Sequence, residues 1–278
     1  MKYKLISIDL DGTLLNDKKE ISQEDIDTLQ KLSDLGIEII VATGRSYWSA
    51  KQFLKNSVLE SVIMANNGNI VRNIINDEVI LSKYLPNEDF YSLLKEGRKM
   101  DLYPIIHADH YQEGYDLIIE LDKNHLKYSN YLNSTIDRYK KIENALNYNS
   151  GRILSVCYLS SVDVLEKFHN ILINKYSGLY ACHILKTLTK VGPMLEVMNP
   201  NGSKWNSIKE YALTKGIKSD EIISIGDDTN DLCMIKEAGL GIAMKNAHDD
   251  IKKYADKISG KTNNECGVSA VLTEIFGF

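Results

Sequence analysis

No apolar run in the 278-residue sequence approaches the roughly 20 residues of a bilayer-crossing helix, so no membrane-spanning helix is expected. The N-terminus lacks the basic, apolar and small-residue succession of a secretory signal, because acidic residues follow its first apolar run at once; a cytoplasmic location is expected. Cysteine is scarce and scattered: Cys157, Cys182, Cys233 and Cys266 form no Cys-x-x-Cys pair, which favours free thiols over a zinc site or a disulfide framework. Positive charge is not in excess, with 33 Lys and Arg against 38 Asp and Glu and a net charge of -5, which argues against a nucleic-acid partner or an anionic membrane surface. Proline is rare, at 4 residues, while 44% of the chain is hydrophobic, enough to bury one large or two modest cores and to exclude disorder.

What is present is organised around Asp9-Leu10-Asp11-Gly12-Thr13-Leu14, which follows the apolar run Leu5-Ile6-Ser7-Ile8. Such a run, heading a chain that alternates helix and strand patterns, predicts a buried parallel strand. Ligands collect at the carboxyl ends of such strands. In extended chain Asp9 and Asp11 project to the same side, Leu10 points back into the protein, and Gly12 permits a sharp turn. Adjacent carboxylates raise each other's pKa, and a bound hard cation is the simplest way to keep both ionised. The alternative is a helix-capping aspartate beside a turn aspartate.

Further along, Ser22 is placed to cap a helix that Gly36 ends. A strand pattern over residues 37–42 runs into Thr43-Gly44-Arg45, and another over 62–65 runs into Asn66-Asn67-Gly68, giving the βαβαβ grammar of a doubly wound parallel sheet. Residues 70–81 read as a hairpin around Asn76-Asp77. From about Leu85 the pattern becomes α+β and tyrosine-rich, which predicts an inserted second domain. The parallel sheet is expected to resume at Met194-Leu195-Glu196-Val197-Met198, followed by a loop, a helix opening at Lys204, and a strand over 222–226 that ends at Asp227-Asp228-Thr229-Asn230-Asp231. The expected architecture is α/β: a Rossmann-like core with a parallel sheet from residues 1–84 and 191–278, and an α+β cap domain from 85–190, hinged near Leu85 and Lys190. His107 and His110 flank Asp109 in that second domain, where a polar surface is the expected reading rather than a metal site.

Asp9 to Leu15, Ala42-Thr43-Gly44-Arg45, Lys204 at a helix start and Gly226 to Asp231 together, in this order, resemble the four motifs of the haloacid dehalogenase superfamily of phosphatases. The insertion between the second and third motifs, with Ser203-Lys204 after the Asn199-Pro200 loop, resembles the Cof-type subfamily; Trp205 departs from the small residue common after the motif lysine. The resemblance implies a Mg2+-dependent phosphatase of small phosphorylated metabolites, sugar phosphates foremost, working through an aspartyl-phosphate. It implies Asp9 as nucleophile and Asp11 as acid and base. Thr43, Gly44, Asn230 and Lys204 are implied around the phosphoryl oxygens, and Asp9, the Asp11 carbonyl and Asp227 on the metal. Asp231 is implied near metal-bound water, and Asp228 either near the metal or as a cap of the following helix. Each residue alone has a structural reading: Thr43 as a strand-end cap, Gly44 as a turn, Lys204 as an exposed helix lysine, the Asp227 run as a helix cap. A phosphomutase, which returns the phosphoryl group to a sugar, and a non-catalytic phosphate-binding regulator are the alternative functions.

Overall fold

The computed structural model describes residues 2–55, 61–128, 131–134, 138–186 and 191–278. The chain forms two compact units, residues 1–82 with 203–278 and residues 83–202. It enters on β1 (Leu5–Asp9), buried along its whole length. Ser22 accepts from the Asp25 N–H to open α1 (Gln23–Asp34), and Gly36, at φ +85°, turns the chain into β2 (Glu38–Ala42). Ser46 caps α2 (Tyr47–Leu54), after which β3 (Val62–Ala65) and the hairpin β4 (Ile70–Asn73) and β5 (Val79–Ser82) complete the first pass.

The second unit contributes α3 (Asn87–Lys99), β6 (Ile105–Ala108), β7 (Leu117–Ile119), β8 (Tyr139–Lys141), β9 (Ile153–Leu159), α4 (Val162–Lys175), β10 (Ala181–Leu185) and β11 (Met194–Met198). The chain then returns to the first unit as α5 (Lys204–Thr214), β12 (Ile222–Gly226), α6 (Leu232–Glu237), β13 (Leu240–Ala243), the single turn α7 (Asp249–Lys252), β14 (Lys257–Ile258) and α8 (Gly267–Phe276).

In the first unit the strands lie in the order β14-β13-β12-β1-β2-β3-β4-β5, parallel from β14 to β3 and antiparallel through the hairpin. Ser7 and Ser224 stand opposite each other in β1 and β12 and satisfy one another at 2.7 Å, so neither buried hydroxyl is stranded. Trp205, Ile208, Tyr211 and Ala212 of α5 pack on Leu5, Ile40, Ala42, Met64 and Ile222. Trp205 is therefore a core residue, 6% exposed. Its bulk fixes the seat of the helix whose first residue is Lys204. Elsewhere Thr28 of α1 meets Ser269 of α8 at 2.8 Å, and the Ser269 N–H donates to Asp25.

The second unit holds a sheet of order β10-β11-β9-β6-β7-β8, antiparallel except for β7 with β8. Phe90, Leu93 and Leu94 of α3 and Leu165, Phe168 and Leu172 of α4 pack on Ile106, Val156, Leu195 and Val197. Here β11 corrects an expectation. Met194–Met198 does not resume the parallel sheet but pairs antiparallel with both β9 and β10. A strand central in either kind of sheet is buried on both faces, and all five of its residues are, so its apolar run carries no mark of which sheet it joins. Leu85, expected at a hinge, is buried, and its N–H donates to the Ile153 carbonyl at 2.8 Å; Lys190 lies outside the described residues.

His107, Asp109 and His110, expected on a polar surface, are buried. Tyrosine hydroxyls compensate them: Tyr131 meets His107 at 2.7 Å, Tyr84 donates to Asp109 at 2.6 Å, and Tyr148 meets His110 at 2.6 Å. Burial disfavours the imidazolium and pushes both histidines down to about 4. Among the described residues no helix is long and apolar enough to cross a membrane.

Candidate active site

Three carboxylates gather at the carboxyl ends of β1 and β12. Asp9 is the last residue of β1; Asp227 directly follows β12, and Asp231 closes the one-turn helix after it. One oxygen from each lies within 4.8 Å of the others. Lys204, at the start of α5 and 1% exposed, donates from Nζ to Asp9 Oδ1 at 2.5 Å and to Asp231 Oδ1 at 2.6 Å. The other Asp231 oxygen accepts the backbone N–H groups of Asp227 and Asp228 at 3.0 and 3.1 Å. Asp231 thus anchors the lysine and shapes the turn that presents Asp227.

Two glycines make this crowding possible. A Cβ on Gly12 would lie 2.3 Å from Asp227 Oδ2, and Gly12 also holds φ +82°. A Cβ on Gly226 would lie 2.6 Å from the Asp231 side chain. Thr13 adds a hydroxyl that donates to Asp227 Oδ1 at 2.8 Å. Asn246 donates to the Gly12 carbonyl at 2.7 Å and steadies the turn.

One buried lysine does not balance three carboxylates. Burial, reinforced by Asp231, drives the Asp9 carboxyl well above the usual carboxylate range although Lys204 pulls it back. Burial likewise pushes Asp227 up to about 7 despite the Thr13 hydrogen bond, with Asp231 and Asp228 adding to the rise. Burial opposes the charge on Lys204, yet Asp231 and Asp9 outweigh it and hold the ammonium above its ordinary pKa. The site is therefore short of positive charge, and its donors are oxygens. That is the donor set and electrostatic deficit a hard divalent cation such as Mg2+ fits.

Asp11 faces different partners. Its carboxylate stands outside the three-oxygen group and is held by Arg45, whose Nε and Nη2 donate at 2.5 and 2.7 Å, and by Lys19 Nζ at 2.7 Å. β1 ends at Asp9, so strand alternation does not extend to Asp11. Burial would raise its pKa, but these hydrogen bonds outweigh it and hold the carboxyl below the ordinary range.

Thr43 is buried after β2; its N–H donates to the Met64 carbonyl at 2.8 Å and its hydroxyl accepts from the Arg45 N–H at 3.1 Å. Gly44 lies against Asn67, whose Oδ1 would be 3.3 Å from a Cβ there. Asn230 donates to that same Asn67 oxygen at 3.1 Å. Asp228 is exposed and accepts the Thr229 N–H at 2.6 Å, so it caps the one-turn helix. The residues singled out from the sequence thus fall into a carboxylate group with its lysine, a cap, and two loops joined through Asn67.

Sequence reasoning assigned no role to Thr13, Lys19, Arg45 or Asn67. Thr13 and Arg45 sit inside the quoted motifs, which was the available signal. Lys19 and Asn67 carry no such signal: the left-handed backbones they take, at φ 63° and 54°, show only in the folded chain.

Residues 6–272 match the family model of the haloacid dehalogenase-like hydrolases. Two Bacillus subtilis relatives are similar along nearly their whole length. The 5-amino-6-(5-phospho-D-ribitylamino)uracil phosphatase YcsE is 29% identical, covering 97% of this chain and 94% of its own. Phosphatase YwpJ is 28% identical, covering 98% and 99%. The crystal structure of a haloacid dehalogenase-like hydrolase from Bacteroides thetaiotaomicron superposes with a TM-score of 0.80 at 28% identity, covering 99% of this chain and 100% of that one. A Rossmann-like sheet ending in clustered aspartates and a buried lysine, and a family match over nearly all residues, lead to one statement: this chain belongs to the haloacid dehalogenase-like hydrolases.

Proposed function

We propose that the chain is a Mg2+-dependent phosphomonoesterase of small phosphorylated metabolites, with sugar phosphates the foremost class, acting through an aspartyl-phosphate on Asp9. The observation that carries the reading is the buried Lys204 ammonium held between Asp9 and Asp231 beside the charge-deficient Asp227. The names of the relatives, one a 5-amino-6-(5-phospho-D-ribitylamino)uracil phosphatase and the other a phosphatase, support the same class of reaction. The second unit takes the part of a substrate-selecting cap.

Asp9, Asp227 and the Asp11 backbone carbonyl would hold Mg2+, which supplies positive charge against the phosphoryl oxygens. Thr43 Oγ1, the Gly44 N–H and Asn230 donate to those oxygens, and Lys204 adds a point charge that favours the ionised form of Asp9. Asp11, ionised at rest, takes up a proton from solvent; an Asp9 oxygen then forms the new bond to phosphorus as the ester oxygen leaves, and that oxygen takes the proton from Asp11. Asp11 then removes a proton from water as the water oxygen bonds to phosphorus. The Asp9–phosphorus bond breaks, and inorganic phosphate and free Asp9 result.

The test is phosphate release from sugar phosphates, nucleotides, pyridoxal phosphate and an aryl phosphate, with and without Mg2+, by wild type and Asp9→Asn. Mg2+-dependent release lost in Asp9→Asn is the expected result. A folded, Mg2+-loaded wild type that releases nothing would refute the reading. Isomerised sugar phosphate without free phosphate would point to a mutase.

A further inference from the structure

The geometry points to Asn67 as the positioning residue that aligns the Asn230 carboxamide with the Gly44 loop to form one phosphate cradle. The inference rests on the reading of Gly44 and Asn230 as phosphate-binding groups given above.

Asn66, Asn67 and Gly68 take φ of 48°, 54° and 90° in succession. Side-chain-bearing residues seldom accept that backbone, and asparagine is one of the few that do. The turn they make is fastened to the Thr43 loop by the Asn67 N–H on the Thr43 carbonyl at 2.9 Å and the Asn66 N–H on the Arg45 carbonyl at 2.8 Å. It is fastened to the start of α5 by the Ser207 hydroxyl on the Gly68 carbonyl at 2.6 Å. Glycine would take the Asn67 backbone with less strain, so the backbone does not account for a side chain there.

The side chain has a use. Its Oδ1 accepts from Asn230 Nδ2 at 3.1 Å, and the same carboxamide lies against Gly44, where a Cβ would meet Oδ1 at 3.3 Å and Nδ2 at 3.6 Å. Asn230 is exposed on a one-turn helix, and its side chain donates to Asn67. A donor left free to rotate on an exposed turn binds an anion poorly, because its rotamer must be fixed on each binding event. One that is already oriented avoids that loss. Asn67 therefore acts on phosphate through Asn230, and it links loops that stand 186 positions apart in the sequence, Gly44 and Asn230.

The experiment uses the full chain with Asn67→Gly, Asn230→Ala and both together. Melting temperature, kcat and KM for an aryl phosphate, and the inhibition constant of inorganic phosphate are measured with Mg2+ present. Asn67→Gly eases the backbone, so its melting temperature stays within a few degrees of wild type. Its KM and phosphate inhibition constant rise about tenfold, the loss of one well-placed hydrogen bond, while kcat falls less. Asn230→Ala gives the same rise, and the double variant adds little to either, because the two groups act as a pair. Unchanged constants in a stable Asn67→Gly, or fully additive effects, would overturn the role. Should Asn67→Gly melt much lower, Asn230→Ala leaves the turn untouched, and a wild-type phosphate inhibition constant there overturns the proposal. Wild-type turnover separates the two readings: its absence refutes the phosphatase, whereas normal turnover with unaltered variants refutes Asn67 alone.

Discussion

Arg45 grips the Asp11 carboxylate with two hydrogen bonds, Nε to Oδ2 at 2.5 Å and Nη2 to Oδ1 at 2.7 Å. The planar fork fixes the carboxylate's orientation as well as its charge, and Lys19 adds a third donor from the loop after the first turn. Asp11 in this state is ionised and oriented, so it takes up a proton before it can serve a leaving oxygen.

Arg45→Ala releases that orientation. Turnover of alkyl phosphates, whose leaving oxygen needs a proton, is expected to fall about 100-fold, and turnover of a 4-nitrophenyl ester much less. Arg45→Lys is expected to restore little, because an ammonium cannot reproduce the two-point fork. Steady-state kinetics on the two ester classes decide it; equal losses on both would mean that Arg45 serves something other than Asp11.

Lys204→Met leaves Asp9 and Asp231 buried without their counter-charge. Urea denaturation of the metal-free protein at neutral pH is expected to show a loss of about 3–5 kcal/mol, the usual consequence of removing one side of a buried ion pair. Much of the loss should disappear at acid pH, where the carboxylates take up protons. A stability unchanged from wild type would contradict the placement of the lysine.

Gly12→Ala and Gly36→Ala provide a matched pair. Both glycines have positive φ, +82° and +85°, but only Gly12 faces a neighbour, the Asp227 oxygen. Gly36→Ala is expected to cost about 1–2 kcal/mol from backbone strain alone. Gly12→Ala should cost more and should also weaken Mg2+ binding, read by thermal shift with and without the ion. Equal effects at both positions would remove the close approach from the account.

The pH dependence follows from Asp227, raised to about 7. In the metal-free protein the folded state holds this proton more tightly than the unfolded chain, where a carboxyl titrates near about 4. The resulting stability is complete below the unfolded value and is lost as the pH rises through about 7. Mg2+ requires the ionised form, so its binding releases protons, and its stabilisation should be larger at pH 8 than at pH 6. Melting curves at the two pH values, with and without Mg2+, measure this. A gain that does not grow with pH would refute the raised carboxyl.

Much of this site was legible in the sequence because its chemistry is local to strand ends. Asp9, Thr43 and Asp227 each follow an apolar run, and Lys204 follows a capping serine, so period and punctuation placed them. Through-space partners were harder to read. Nothing in the spacing of Asp11, Lys19 and Arg45 says that two long side chains converge on one carboxylate. Asn67 was visible only as part of a turn, since the strain at φ 54° is a property of three dimensions. The sheet that β11 joins is illegible for an equally physical reason: a run buried on both faces looks alike in either. The burial of the second unit's histidines is hidden from the sequence because their compensating tyrosines are distant along the chain.

The place of β1 between β2 and β12 sets the order of events during synthesis. Asp9 leaves the ribosome well before its partners: its lysine follows 195 positions later and Asp231 later still. The second unit, one continuous stretch from 83 to 202, emerges complete in that interval. A nascent chain therefore possesses a finished second unit while the strand bearing Asp9 still lacks its β12 neighbour. The carboxylate group and its lysine are complete only once Asp231 has emerged, so a product that stops short of it lacks part of the site.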